Sequence, residues 1–234
     1  FALDDAAILT LRPDVLLTQA LCDVCAVSEG AVRAPAARLG AATGLAPALV
    51  TLGGTTLDGV WDDVRRVAAA LDAGAAAEAL VARETARLRR VHETLRGARA
   101  PRPRVAVVEW TDPIFLAGHW APEMVRRAGG VDVLGTAGAH STTVSHEALA
   151  GAAPDVVLVA PCGYGVAEAA AEGRRLLADP RWAWLAGRAV WALDANGYVS
   201  RPGPRLAEGV ELIARVLHPA LLGEPPRAGA VCLA

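Results

Sequence analysis

Ala152-Ala153-Pro154-Asp155-Val156-Val157-Leu158-Val159 reads as the end of a helix, a stop at proline and a short strand that is apolar on both faces. Proline has no amide hydrogen to give a helix and pushes the residue before it toward extended backbone. The β-branched run that follows suits a parallel strand covered from both sides. The same unit stands earlier in the chain as Leu11-Arg12-Pro13-Asp14-Val15-Leu16-Leu17-Thr18, and a cysteine follows each copy, Cys22 and Cys162. Two lobes of like α/β construction are therefore expected.

Outward from these units, Ala48–Leu52, Arg104–Glu109 and Ala189–Leu193 are further strand candidates, separated by helical patterns. Such alternation predicts βα units and parallel sheets. Thr56 is placed to cap a helix carrying Val60, Val64, Val67, Ala68 and Leu71 on one face and ending near Asp72 to Gly74. A second helix is expected from Ala75 to Arg96, with Leu80, Arg83, Arg87, Leu88, Val91 and Leu95 at helical spacing. At ~1.5 Å per residue it is roughly 30 Å long. The expected fold class is α/β, with two parallel-sheet lobes joined by this long helix. The expected domains are a first lobe over 1–56, a helical connection over 57–100, a second lobe over 101–222 and a tail over 223–234. Two strands leave the first lobe with an exposed edge, so βα units of it are expected to be missing at its N-terminus.

Composition narrows the function. The chain has 234 residues and a formal net charge of −2, and its 23 basic residues are all arginine, spread along the sequence. That argues against nucleic acid or an acidic membrane surface as the main partner. Without lysine there is no Walker A loop, no pyridoxal Schiff base and no kinase-type lysine. No G-x-S-x-G, H-E-x-x-H or strand-following G-x-G-x-x-G occurs either. No enzyme and no catalytic cofactor are expected. Apolar runs break before the ~18 residues a membrane span needs. The opening Phe1-Ala2-Leu3-Asp4-Asp5 is not a signal peptide, and its lack of Met suggests a processed or truncated start.

The informative motifs follow strands, where α/β sheets place ligands. Glu109 to Glu123 gathers Trp110, Phe115, His119 and Trp120 in a chain only 4% aromatic. Aromatic residues in such a loop either pack it onto the domain or wall a ligand. Pro161-Cys162-Gly163-Tyr164-Gly165 supplies a second loop with an aromatic tip. Asp194 to Arg205 supplies a third, whose Tyr198 and Arg201 are suited to stack on a flat ligand and to pair with an anion. Cys22-Asp23-Val24-Cys25 has metal or thiol-redox spacing, although a lone CxxC is weak evidence. Cys162 sits at the equivalent strand end of the other lobe. Cys22, Cys25 and Cys162, with His119, form a candidate thiolate metal site if the lobes face one another; simple packing is the competing reading.

Glu109–Gly130, Pro154–Leu158 with Pro161-Cys162-Gly163, Asp179-Pro180-Arg181-Trp182 and Tyr198–Arg205 resemble the vitamin B12 (cobalamin) binding proteins. These belong to the helix-linked, class III solute-binding proteins of ABC importers, which also include haem, siderophore and metal binders. The resemblance implies cobalamin or a related corrinoid gripped in a cleft between two lobes. It matches Phe115 to a wall aromatic, and Tyr198 and Arg201 to residues of the strand-end loop. It implies an ABC permease partner, a monomer and a periplasmic or other extracytoplasmic location, while the absence of a visible signal peptide leaves a cytoplasmic one open. The docking glutamates of transporting members align with Ala6 and Ser200, which weakens the permease expectation and makes a non-transport corrinoid-handling role a rival. Capture of haem, a siderophore or a metal is a further rival within the binding class, and a CxxC thiol redox protein is the rival outside it.

Overall fold

The computed structural model describes residues 4–21, 29–44 and 46–234. Helix α1 (Asp5–Leu11) starts at Asp4, whose carboxylate accepts from the Ala7 amide, and closes at Arg12 in the left-handed region before Pro13. Strand β1 (Val15–Gln19) follows, then α2 (Glu29–Thr43) and β2 (Ala48–Leu52). The two strands pair in parallel from Val15 opposite Ala48 to Gln19 opposite Leu52. Helix α3 (Leu57–Ala70) is capped by Thr56, whose hydroxyl accepts from the Gly59 amide. Its inner face buries Leu57, Val60 and Trp61. It also buries Asp63, whose carboxylate accepts from the Gly53 and Gly54 amides and pairs with Arg66 at 2.6 Å. A buried carboxylate is tolerated when it is this well supplied with donors.

Helix α4 (Gly74–Gly97) is the long helix the periodicity predicts. The chain divides into two units inside it, the first running to Val81 and the second beginning at Ala82.

The second unit contains β3 (Arg104–Thr111), β4 (Ile114–Leu116), α5 (Ala121–Arg127), β5 (Val131–Asp132), β6 (Thr142–Thr143), α6 (His146–Gly151) and β7 (Val156–Val159). It continues with α7 (Val166–Ala178), a 3₁₀ turn over Pro180–Leu185, β8 (Ala189–Leu193), α8 (Ala195–Tyr198), α9 (Leu206–Leu217), α10 (Pro219–Leu222) and β9 (Ala230–Cys232). Its seven-stranded sheet has the order β6-β4-β3-β7-β8-β9, with β5 also on β3. Strands β3, β7 and β8 pair in parallel as expected, and β5, which the sequence does not announce, also pairs in parallel with β3. The rest corrects the parallel-sheet expectation: the β3–β4, β4–β6 and β8–β9 pairs are antiparallel. Only two residues, Asp112 and Pro113, separate β3 from β4, and so short a connection returns the strand antiparallel. The segment read as a tail supplies β9, which covers the outer edge of β8.

Each residue of β7 is buried, as are Val105 to Val108 of β3. Hydrophobic side chains on both faces of these strands explain why they read as unbroken apolar runs.

Candidate functional site

Three loops leave the carboxyl ends of β3, β7 and β8, and hydrogen bonds tie them into one rim. The Cys162 amide donates to the Glu109 carbonyl, and the Asn196 amide donates to the Tyr164 carbonyl at 2.9 Å. Asp194 caps α8 through the Gly197 amide, and Arg201 donates from Nε to Asn196 Oδ1 at 2.7 Å. The stretch after β8 is thus one helical turn rather than the open loop its composition suggests.

On this rim Trp110 is 42% exposed and meets Tyr164 edge to face, with ring centres 5.9 Å apart. Phe115, half-buried, lies directly across the strand pair from Trp110, so the two share a face of the sheet. The pairing shifts register between Val108 and Trp110, a bulge that re-aims the strand end. Beside the rings a cavity of about 260 Å³ is lined by Trp110, Thr111, Asp112, Pro161, Tyr164, Glu172 and Arg175. Glu172 accepts from the Thr111 hydroxyl and pairs with Arg175 at 2.8 Å. Ligand pockets run from about 300 Å³ upward, so the second unit by itself presents a wall with a shallow recess.

Other predicted site residues are placed differently. Trp120 is buried, and its indole N–H donates to the Val199 carbonyl at 2.6 Å, so it anchors the loop from beneath. His119 has positive φ and holds neighbouring loops by its backbone, donating to the Ala139 carbonyl and accepting from the Gly138 amide. Its Nε2 is buried without a hydrogen-bond partner, and its ring meets that of His140 at 5.1 Å. Burial is the main influence holding the imidazole below its ordinary pKa; His140 adds to it and Glu109 opposes it. Glu109 accepts from the Ser141 hydroxyl at 2.5 Å, and that hydroxyl accepts from the Gly118 amide. Tyr198 turns away from the Trp110 corner and lines a separate cavity of about 210 Å³ with Arg87, Glu208, Glu211 and Arg215.

Cys162 and Gly163 are exposed on the rim next to Tyr164, whereas Cys22 and Cys25 lie outside the described residues. No group of three or more His, Cys, Asp or Glu side chains suited to a metal occurs among the described residues. No described helix is long and apolar enough to cross a membrane. Sequence reasoning missed Glu172 and Arg175, which α7 delivers to the rim from its outer face; an Arg three residues after a Glu carried the signal of a helical ion pair but not its location.

A family model described as periplasmic binding protein matches residues 7–190. Among solved structures, the chain is 31% identical to the periplasmic haem-binding protein BhuT in complex with two haems. The match covers 94% of this chain and 80% of that one, with a TM-score of 0.69. It is 24% identical to a periplasmic haem-binding protein from Pseudomonas aeruginosa, with 94% and 77% covered and a TM-score of 0.71. It is 21% identical to the periplasmic vitamin B12 binding protein BtuF of Vibrio cholerae, with 94% and 79% covered and a TM-score of 0.60. The latter two likenesses speak to the fold alone. No curated protein matches the chain.

Proposed function

The chain belongs to the periplasmic binding protein family, the extracytoplasmic solute-binding partners of ABC permeases, and from that premise we infer that its cargo is a planar metal tetrapyrrole, with haem first. The observation that carries the choice of haem is the 31% identity, over 94% of the chain, to a haem-binding member. The rim is consistent in kind. Trp110, Phe115 and Tyr164 offer rigid aromatic area, which a flat ligand rewards at low entropic cost. Corrinoid capture is the second reading, favoured by the resemblance of Glu109–Gly130 and Tyr198–Arg205 to the vitamin B12 binding proteins.

In this reading Trp110, Phe115 and Tyr164 face the ligand plane, while Trp120 and His119 set the loop that carries them. Arg201 and Arg175 stand at the rim to meet ligand carboxylates. Cys162, exposed on the rim beside Tyr164, is proposed as an additional contact. Absorbance titration of the full chain with haemin, cobalamin and cobinamide tests the assignment. A saturable Soret shift with haemin alone supports haem, a corrinoid shift alone moves the cargo to the second reading, and no shift or retention of any of them overturns both.

A further inference from the structure

Five arginines separated in sequence converge on one cavity at the opposite end of the second unit. Arg96 and Arg99 lie at the end of α4, Arg102 just before β3, and Arg126 and Arg127 at the end of α5. With His92, Leu95, Ala100 and Gly129 they line a cavity of about 680 Å³. It lies at the amino ends of β3 and β5. The aromatic rim lies past the other end of β3, about 25 Å away at ~3.3 Å per residue.

No acid is in that lining. Glu123 engages Arg126 at 3.4 Å and Arg127 at 3.0 Å, and Arg102 donates to the Gly130 carbonyl at 2.9 Å. Arg96 and Arg99 make no ion pair among the described residues. A plain account exists for some of this charge: α4 and α5 both end here, and each helix end carries roughly half a negative charge. Those ends together with Glu123 still leave a surplus of about three positive charges. The floor is shaped as well. Gly129 has φ +86°, and a Cβ there would meet Leu95 Cδ1 and His218 Nε2 at 2.7 Å. A cavity of this volume suits a small ligand. Guanidinium forks match phosphate oxygens two at a time, and exposed arginines are drawn together only at the cost of mutual repulsion, which a multiply charged anion relieves.

We propose that this arginine cavity is a second binding site, for a phosphate-bearing polyanion, either a free phosphate ester or diphosphate or the headgroup of an anionic phospholipid. Calorimetric titration of the full chain with inorganic pyrophosphate tests it, alongside co-sedimentation with phosphatidylglycerol-containing vesicles and with phosphatidylcholine vesicles as control. The comparison is the Arg96→Ala/Arg99→Ala variant, which breaks no ion pair and leaves the aromatic rim intact. Pyrophosphate is expected to bind, to weaken roughly tenfold in the variant and to weaken further with added salt. Vesicle capture with the same dependence on Arg96 and Arg99 assigns the headgroup as the source; pyrophosphate binding without vesicle capture assigns a free phosphate. The proposal is overturned if neither probe binds, or if the variant binds as the parent does while its melting temperature shows it to be folded. Haemin binding is read separately, so failure of this site and failure of the tetrapyrrole reading are distinguishable.

Discussion

Trp110 and Trp120 border one loop and do opposite work. Trp110 shows its ring at the rim, whereas Trp120 spends its ring on the core and its N–H on the Val199 carbonyl. Trp110→Ala is therefore expected to weaken haemin binding roughly tenfold, since one aromatic contact is worth about 0.5–1.5 kcal/mol beyond its area, with little change in melting temperature. Trp120→Phe is expected to behave inversely: the orphaned carbonyl costs about 1–3 kcal/mol of stability, read by urea denaturation. A stable Trp120→Phe protein, or a Trp110→Ala protein with unchanged affinity, contradicts this division. His119 adds a pH dependence. The folded chain holds its imidazole below the ordinary 6.5, so the unfolded chain takes up the proton more readily. The stability this contributes is complete above about 6.5 and is lost as pH falls from there through the lowered folded value. His218, also held low by burial, acts in the same direction. His119→Asn keeps a residue that tolerates positive φ and removes the titration. Its melting temperature should fall less between pH 7.5 and 5.5 than that of the parent; an equal fall rules His119 out as a source. A sequence shows that aromatic residues crowd this loop but not which side of it each one faces, because irregular backbone has no period to read.

Helices and strands with a period were legible. Ala48–Leu52 and Ala189–Leu193 are strands with the expected bounds, and Thr56 caps its helix as read. Elements defined by pairing alone were not. Strand β6 is only two residues long, both exposed, and β9 only three, in a segment rich in Pro and Gly, so neither carries an alternation long enough to detect. Close approaches are also invisible before the fold is known, and α9 shows the consequence. Gly209 lies in its interior, where alanine would ordinarily gain about 1 kcal/mol of helix propensity. A Cβ at Gly209, however, would collide with the Tyr198 carbonyl oxygen and reach within 2.6 Å of Met124 Cε. The backbone of α8 has to move to admit it, and overpacking of that kind costs about 1–3 kcal/mol. Gly209→Ala is expected to lower stability in urea denaturation and to disturb Tyr198 and its neighbours on the rim. A neutral or stabilising outcome means that α8 yields without resistance and does not hold the rim.

Across the whole chain the two units differ in what protects their sheets. In the second, β3 and β7 are each flanked by strands on both sides and bury Val105 to Val108 and Val156 to Val159. In the first, β1 and β2 pair only with each other among the described residues, and Leu17 in β1 is 54% exposed. A two-stranded pair is marginal without further cover, and parallel pairing adds nothing to offset that. What steadies it is cover from α2, which buries Val32 and Leu39, and from α3, through Val60 and Trp61 in the core and through Asp63 holding the Gly53–Gly54 turn at the end of β2. Opening of β1–β2 therefore exposes less apolar surface than opening of the central strands, and backbone amides exchange at the rate of the cheapest opening that frees them. Hydrogen exchange followed by mass spectrometry is expected to show Val15–Gln19 and Ala48–Leu52 exchanging well before Val156–Val159. Asp63→Asn should speed the first pair further and leave the third unchanged, because the turn loses charge-assisted acceptors only in the first unit. Equal protection of all three segments would mean that the chain opens as one cooperative body, and the division inside α4 would then describe contacts without describing stability.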